Sequence, residues 1–107
     1  MGNKMSKEIK ITATDGHIFD AWRSEPGEAI KGGVVILHAI TGRIPHLADV
    51  CDQWASEGYI AVAPSLFDRI EPNIINPYTP EGVEAGIKNF TSLDGEKILL
   101  DVDASAD

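Results

Sequence analysis

Two hydrophobic periods alternate along the chain, separated by polar breaks marked with glycine or proline. From Glu8 to Ala13 every second residue is apolar (Ile9, Ile11, Ala13), the period of a half-buried strand. Asp15-Gly16 follows, a pair that tolerates positive φ, and His17 to Ser24 supplies a return strand with Phe19 and Trp22 on opposite faces. A charged loop, Glu25 to Gly32, then leads into Gly33-Val34-Val35-Ile36-Leu37-His38, where four large apolar residues stand in a row. Such a run predicts a parallel strand covered by helices on both faces. It ends in the glycine-closed bend His38-Ala39-Ile40-Thr41-Gly42, at the carboxyl end of a strand, where ligands and chemistry collect in open α/β sheets.

From here the period lengthens. Ile44, Leu47, Val50, Cys51 and Trp54 recur at helical spacing, with Pro45 suited to a first turn and Gly58 to a C-terminal cap. Tyr59 to Ala63 is a second apolar strand, stopped by Pro64, so strand, helix and strand form a βαβ unit with a right-handed crossover. Ser65 to Pro77 reads as a long loop. Thr79-Pro80-Glu81 opens a helix with Thr79 as N-cap and Val83, Ile87 and Phe90 on its apolar face. A last helix, from about Asp94 to Ala104, carries Ile98, Leu99 and Val102, and its acidic end (Asp101, Asp103) opposes the helix dipole. The expected fold is α/β: an N-terminal antiparallel hairpin, one βαβ unit and C-terminal helices. These make a single domain over residues 8–107, behind a polar, frayed stretch at 1–7.

Composition narrows the partners. One domain is expected of 107 residues. A formal charge of −8 without any Lys/Arg cluster argues against nucleic acid. Acidity of this size serves solubility or attracts a cationic partner. The one cysteine permits no internal disulfide. No apolar run approaches the roughly 18 residues of a membrane span and no secretory h-region opens the chain, so a cytoplasmic protein is expected. None of His17, His38 and His46 pairs with another at ligand spacing, so neither metal nor cofactor is expected.

Several side chains invite chemistry. His38, at the end of its strand, could act as base, ligand or donor, or simply bond backbone or water. Cys51 falls on the apolar face of its helix, the place of a small buried hydrophobe rather than a nucleophile. Ser65 lacks flanking glycines, and no G-x-S-x-G or G-x-C-x-G occurs. Asp68, Arg69 and Glu71 form a solvated charge cluster by default, with substrate contact as the alternative.

Five segments in this order and spacing resemble the N-terminal half of the dienelactone hydrolase family, within the α/β-hydrolase superfamily. They are Asp15-Gly16-His17-Ile18-Phe19-Asp20-Ala21, the strand and bend Gly33 to Gly42, and Pro45-His46-Leu47-Ala48-Asp49-Val50. The others are Glu57-Gly58-Tyr59-Ile60-Ala61-Val62-Ala63-Pro64-Ser65-Leu66-Phe67-Asp68-Arg69 and Tyr78-Thr79-Pro80-Glu81. Together they span residues 8 to about 104. The resemblance implies a partial α/β-hydrolase fold and a hydrolase of lactones or related esters. Such enzymes attack with a cysteine or serine on a G-x-C/S-x-G elbow, aided by a later aspartate and histidine.

The chain is expected to stop before the strand bearing that elbow, to lack all three groups, and to be inactive alone. Family members typically carry glutamine and glutamate after the central strand, where this chain has His38 and Ala39. The family's glutamate contacts the resting nucleophile, and Ala39 removes that contribution. His38 also matches the histidine of the His-Gly pair in many other α/β-hydrolases. The resemblance makes the Ile40 N–H an oxyanion-hole remnant, one donor of the cradle for a developing oxyanion.

If a ligand binds, its expected place is the rim of His38, Ala39, Thr41 and Gly42 with Asp68, Arg69 and Tyr78 opposite. The implied strand order leaves Val34, Val35, Ile36 and Leu37 as an uncharged edge, from which a homodimer through that strand is expected. A non-catalytic dimeric module binding a small molecule or protein is the alternative to the hydrolase.

Overall fold

A computed structural model describes residues 6–27, 29–71 and 74–106. The expected frayed stretch falls mostly outside these, and at Lys7 the chain is already in its first strand. The elements are β1 (Lys7–Thr12), β2 (Ile18–Ser24), β3 (Gly32–Val35), α1 (Pro45–Ser56) and β4 (Tyr59–Pro64). A 3-10 turn (Leu66–Arg69), α2 (Pro80–Ser92) and α3 (Gly95–Ala106) follow. They form one sheet in the order β1-β2-β4-β3, antiparallel except for the β3–β4 pair.

The hairpin closes at Asp15-Gly16, where Gly16 takes φ +90° and donates to the Ala13 carbonyl. Lys7 then opposes Arg23 and Thr12 opposes Ile18. β4 enters between β2 and β3, with Trp22 opposite Ala63 on one side and Val34 beside Ala61 on the other. Along β4, Ala61 and Ala63 face α1, whose Ala48, Cys51 and Ala55 are buried. Small residues on both surfaces allow helix and sheet to approach closely, and Trp22, Val34, Ile36 and Leu47 close the rim of this core. Helix α3 packs on β1, β3 and β4, where a cavity of about 540 Å³ is lined by Ile9, Ile11, Val35, Val62 and Ala104.

The apolar stripes differ from those the spacing predicts. Trp54 is half out of the surface, edge-on to Tyr59, while Ile87 and Leu99 are exposed. In their place α2 buries Gly82 and Gly86, and α3 buries Asp101 and Ser105. β3 is shorter than the expected strand and covered only in part. It ends at Val35, although the Ile36 N–H still donates to Val62, and Leu37 is exposed. Among the described residues no helix is long and apolar enough to cross a membrane.

Candidate functional site

The bend after β3 is held from three directions. His38 is buried, its ring edge-on to Phe67 at 4.7 Å and tilted against Phe90 at 6.1 Å. Its Nε2 accepts the Leu66 N–H at 3.0 Å, and its Nδ1 lies 2.8 Å from the Ala39 carbonyl. Burial lowers its pKa below the usual histidine value, against the opposing pull of the Ala39 hydrogen bond and the Asp68 charge. Thr41 is buried, and its carbonyl accepts the Asn76 N–H at 3.0 Å. The Asn76 side-chain amide donates to the Ile40 carbonyl at 2.7 Å and to Asn89 Oδ1 at 2.9 Å, tying the bend to α2.

Two glycines allow the close approach. Gly42 takes φ +82° and pairs with Ile75 in an isolated bridge. Gly86 of α2 lies so near Ile40 that a Cβ there would stand 2.6 Å from both its Cβ and its carbonyl oxygen. Thr79 caps α2 as expected, accepting the Gly82 N–H at 3.0 Å. What faces solvent from the bend is therefore Ala39 and part of Ile40, whose N–H finds no acceptor among the described residues. Neither Asn76 nor Gly86 was singled out by sequence reasoning. A glycine inside a helix is itself a signal, because it costs about 1 kcal/mol relative to alanine unless something must come close.

Of the charged residues opposite, Arg69 and Asp68 are engaged with other parts of the fold. Arg69 spreads its guanidinium between Asp101 (2.9 and 2.8 Å) and Asp15 (2.9 and 3.2 Å), so Nε, Nη1 and Nη2 all donate within the protein. Asp68 accepts the Asp20 N–H at 2.8 Å and the Ser65 hydroxyl at 2.7 Å. Asp68 and Arg69 are thus bonded within the fold rather than solvated, while Glu71 is exposed. Tyr78 is exposed. Arg43, adjacent to the bend, is buried with its guanidinium 4.5 Å from the centre of the Trp22 ring.

The two side chains that could be mistaken for nucleophiles are occupied otherwise. Cys51 is fully buried, and burial pushes its thiol up to about 11, with the Asp52 charge adding to the shift. Ser65 is buried and spends its hydroxyl on Asp68. Among the described residues no group of three or more His, Cys, Asp or Glu side chains could hold a metal ion.

A model of the dienelactone hydrolase family matches residues 19–107, which run from Phe19 in β2 and include β3, β4, the bend and all three helices. The chain belongs to the dienelactone hydrolase family. A Pseudomonas putida family relative named carboxymethylenebutenolidase is 28% identical over 102 residues, 94% of this chain and 43% of that protein. A Synechocystis protein provisionally given the same name is 39% identical over 72 residues, 67% of this chain and 29% of that one. A crystal structure of a Klebsiella pneumoniae protein, provisionally described as a dienelactone hydrolase, superposes with a TM-score of 0.73 at 25% identity. It is covered over 40% of its length by 92% of this chain. The fold is thus part of an α/β-hydrolase fold, and the chain spans less than half the length of these family relatives.

Proposed function

We propose that these residues form the amino-terminal part of a carboxylic-ester or lactone hydrolase, in which the Ile40 N–H is one donor of the oxyanion cradle. The nucleophile, the acid and the catalytic histidine would come from residues outside this stretch. The observation that carries the reading is the Ile40 N–H itself. It stands at the carboxyl end of β3, beside exposed Ala39, in a clamped bend, and no described residue accepts from it. When a carbonyl is attacked its oxygen gains negative charge, and a donor already fixed in place stabilises that charge without reorganising. One donor without a nucleophile does not hydrolyse an ester. The carboxymethylenebutenolidase names of the relatives agree with an ester or lactone substrate.

The chain by itself is expected to leave 4-nitrophenyl acetate and a simple lactone at the buffer rate. Fused to the carboxyl-terminal remainder of the Pseudomonas putida relative, it is expected to turn the lactone over, and Ile40→Pro, which deletes the N–H, should abolish that turnover. Hydrolysis by the chain alone that disappears in Cys51→Ala, or a fully active Ile40→Pro fusion, would refute the assignment.

A second reading, self-association, is favoured by the position of β3 at the end of the sheet order. Its free side, continued by Ile36 and exposed Leu37, bears no charge. A two-fold copy could pair with it antiparallel through Val34, Val35, Ile36 and Leu37. Light scattering at micromolar concentration is expected to give a dimer mass, and Val35→Lys a monomer. A monodisperse, folded monomer from the unaltered chain would end this reading.

A further inference from the structure

The bend holds a device that the oxyanion reading does not use. Because His38 Nε2 accepts the Leu66 N–H, that nitrogen carries no proton, and the ring proton sits on Nδ1. Nδ1 therefore donates to the Ala39 carbonyl at 2.8 Å. The Gly42 N–H donates to the same oxygen at 3.1 Å, so two donors hold it. The Ala39 carbonyl and the Ile40 N–H belong to one planar trans peptide and point in opposite directions. Holding the oxygen end from inside the protein aims the N–H end away from it.

We propose that His38 is a positioning residue for the Ile40 N–H, gripping the far end of its peptide through Nδ1 and polarising it into a stronger donor. The inference rests on the reading of Ile40 as an oxyanion donor. Donation into an amide carbonyl draws charge toward its oxygen and leaves the N–H more acidic, the cooperative strengthening seen along hydrogen-bonded chains. The ring cannot turn to serve another partner, since Phe67 and Phe90 pack on it and Leu66 fixes Nε2. Burial lowers its pKa and so favours the neutral ring, which carries one proton, and a proton on Nε2 would face the Leu66 N–H head to head. The charged groups that act on the ring are Asp68, which favours protonation, and Arg43, which opposes it.

The test uses the 15N-labelled chain. Long-range proton–nitrogen correlation of the His38 ring at neutral pH should show Nδ1 protonated and Nε2 as an unprotonated acceptor. His38→Asn and His38→Leu then form a pair of nearly equal shape, of which asparagine alone can donate to the Ala39 carbonyl. Both lose the ring and are expected to melt lower by similar amounts. The Ile40 amide resonance should move upfield in His38→Leu and return toward its original place in His38→Asn, which a purely packing role would not produce. In the lactone-hydrolysing fusion, kcat should fall in His38→Leu with KM unchanged, and recover in His38→Asn. A ring protonated on Nε2, or an Ile40 amide alike in the two variants, overturns the proposal, and the ring measurement needs no variant to fold. An inactive fusion with the spectra as expected would count against the hydrolase reading and leave the positioning of the N–H established.

Discussion

Asp101→Ala is expected to destabilise the domain by about 3–5 kcal/mol, the usual cost of removing one partner from a buried ion pair. Asp101 is fully buried on α3, and both its oxygens receive the Arg69 guanidinium, at 2.9 and 2.8 Å. Without it, Arg69 keeps only Asp15 and leaves two donor directions facing a hole in the protein. Against the 5–15 kcal/mol that typically holds a domain together, about 3–5 kcal/mol is a large share. Asp15 sits on the solvent side of the same guanidinium, so Asp15→Ala should cost much less. The Arg69 guanidinium beside Asp15, with the His17 N–H, holds its carboxyl down to about 2. Asp15 therefore contributes fully above the ordinary carboxylate value, and that contribution is lost as pH falls through about 2. Urea midpoints for the two variants at pH 7 check the order; equal shifts would mean that α3 is not anchored through this pair.

The other large effect is expected at Gly42. Alanine there must adopt φ near +82°, a left-handed conformation that costs an L-residue about 1–2 kcal/mol. Its Cβ would also stand 2.3 Å from the Ile74 carbonyl oxygen, which is backbone and cannot swing aside. Overpacking of this kind adds about 1–3 kcal/mol, so Gly42→Ala should lose about 2–5 kcal/mol in total. Relief requires the segment containing Ile74, Ile75 and Asn76 to retreat, which draws the Asn76 amide away from the Ile40 carbonyl. Gly27→Ala is the control, since its φ is ordinary and nothing lies within 4 Å of the added Cβ. Gly27→Ala should melt at or slightly above the original temperature. A Gly42→Ala variant that matched it would show that the bend tolerates a side chain.

The frame was legible because its signals are local. Asp15-Gly16 closes the hairpin, Pro45 and Gly58 bracket α1, and Thr79 caps α2, each within a few residues of the element it governs. The buried charges were not legible. Asp101 in isolation reads as an acid opposing a helix dipole, and only the arrival of Arg69, 32 positions away, makes it the most buried group on α3. The helical stripes failed for a related reason. Leu99 and Ile87 have the right spacing, but where Ile40 meets α2 and Arg69 meets α3 the approach demands glycine and a carboxylate. At the site, the strand end, the bend and its glycine could be read from the sequence. The partners of the His38 ring could not, since Leu66 reaches it from beyond β4.

The clamp on the bend also dictates an order of assembly. β1 and β2 meet across a short loop, with Lys10 and Asp20 only 10 positions apart, so the hairpin can close from local chain alone. The Leu66–His38 bond spans 28 positions and the Asn76–Ile40 bond spans 36, and longer loops must close before either forms. During synthesis from the amino terminus, His38 to Gly42 leave the ribosome well before Asn76 and α2 exist. Throughout that interval the bend has its local hydrogen bonds but not the hold of Asn76 and α2. The bend that presents the Ile40 N–H is clamped by chain made after it, so a ribosome stalled once β4 has emerged but before Asn76 would display the sheet without the Asn76 hold on the bend.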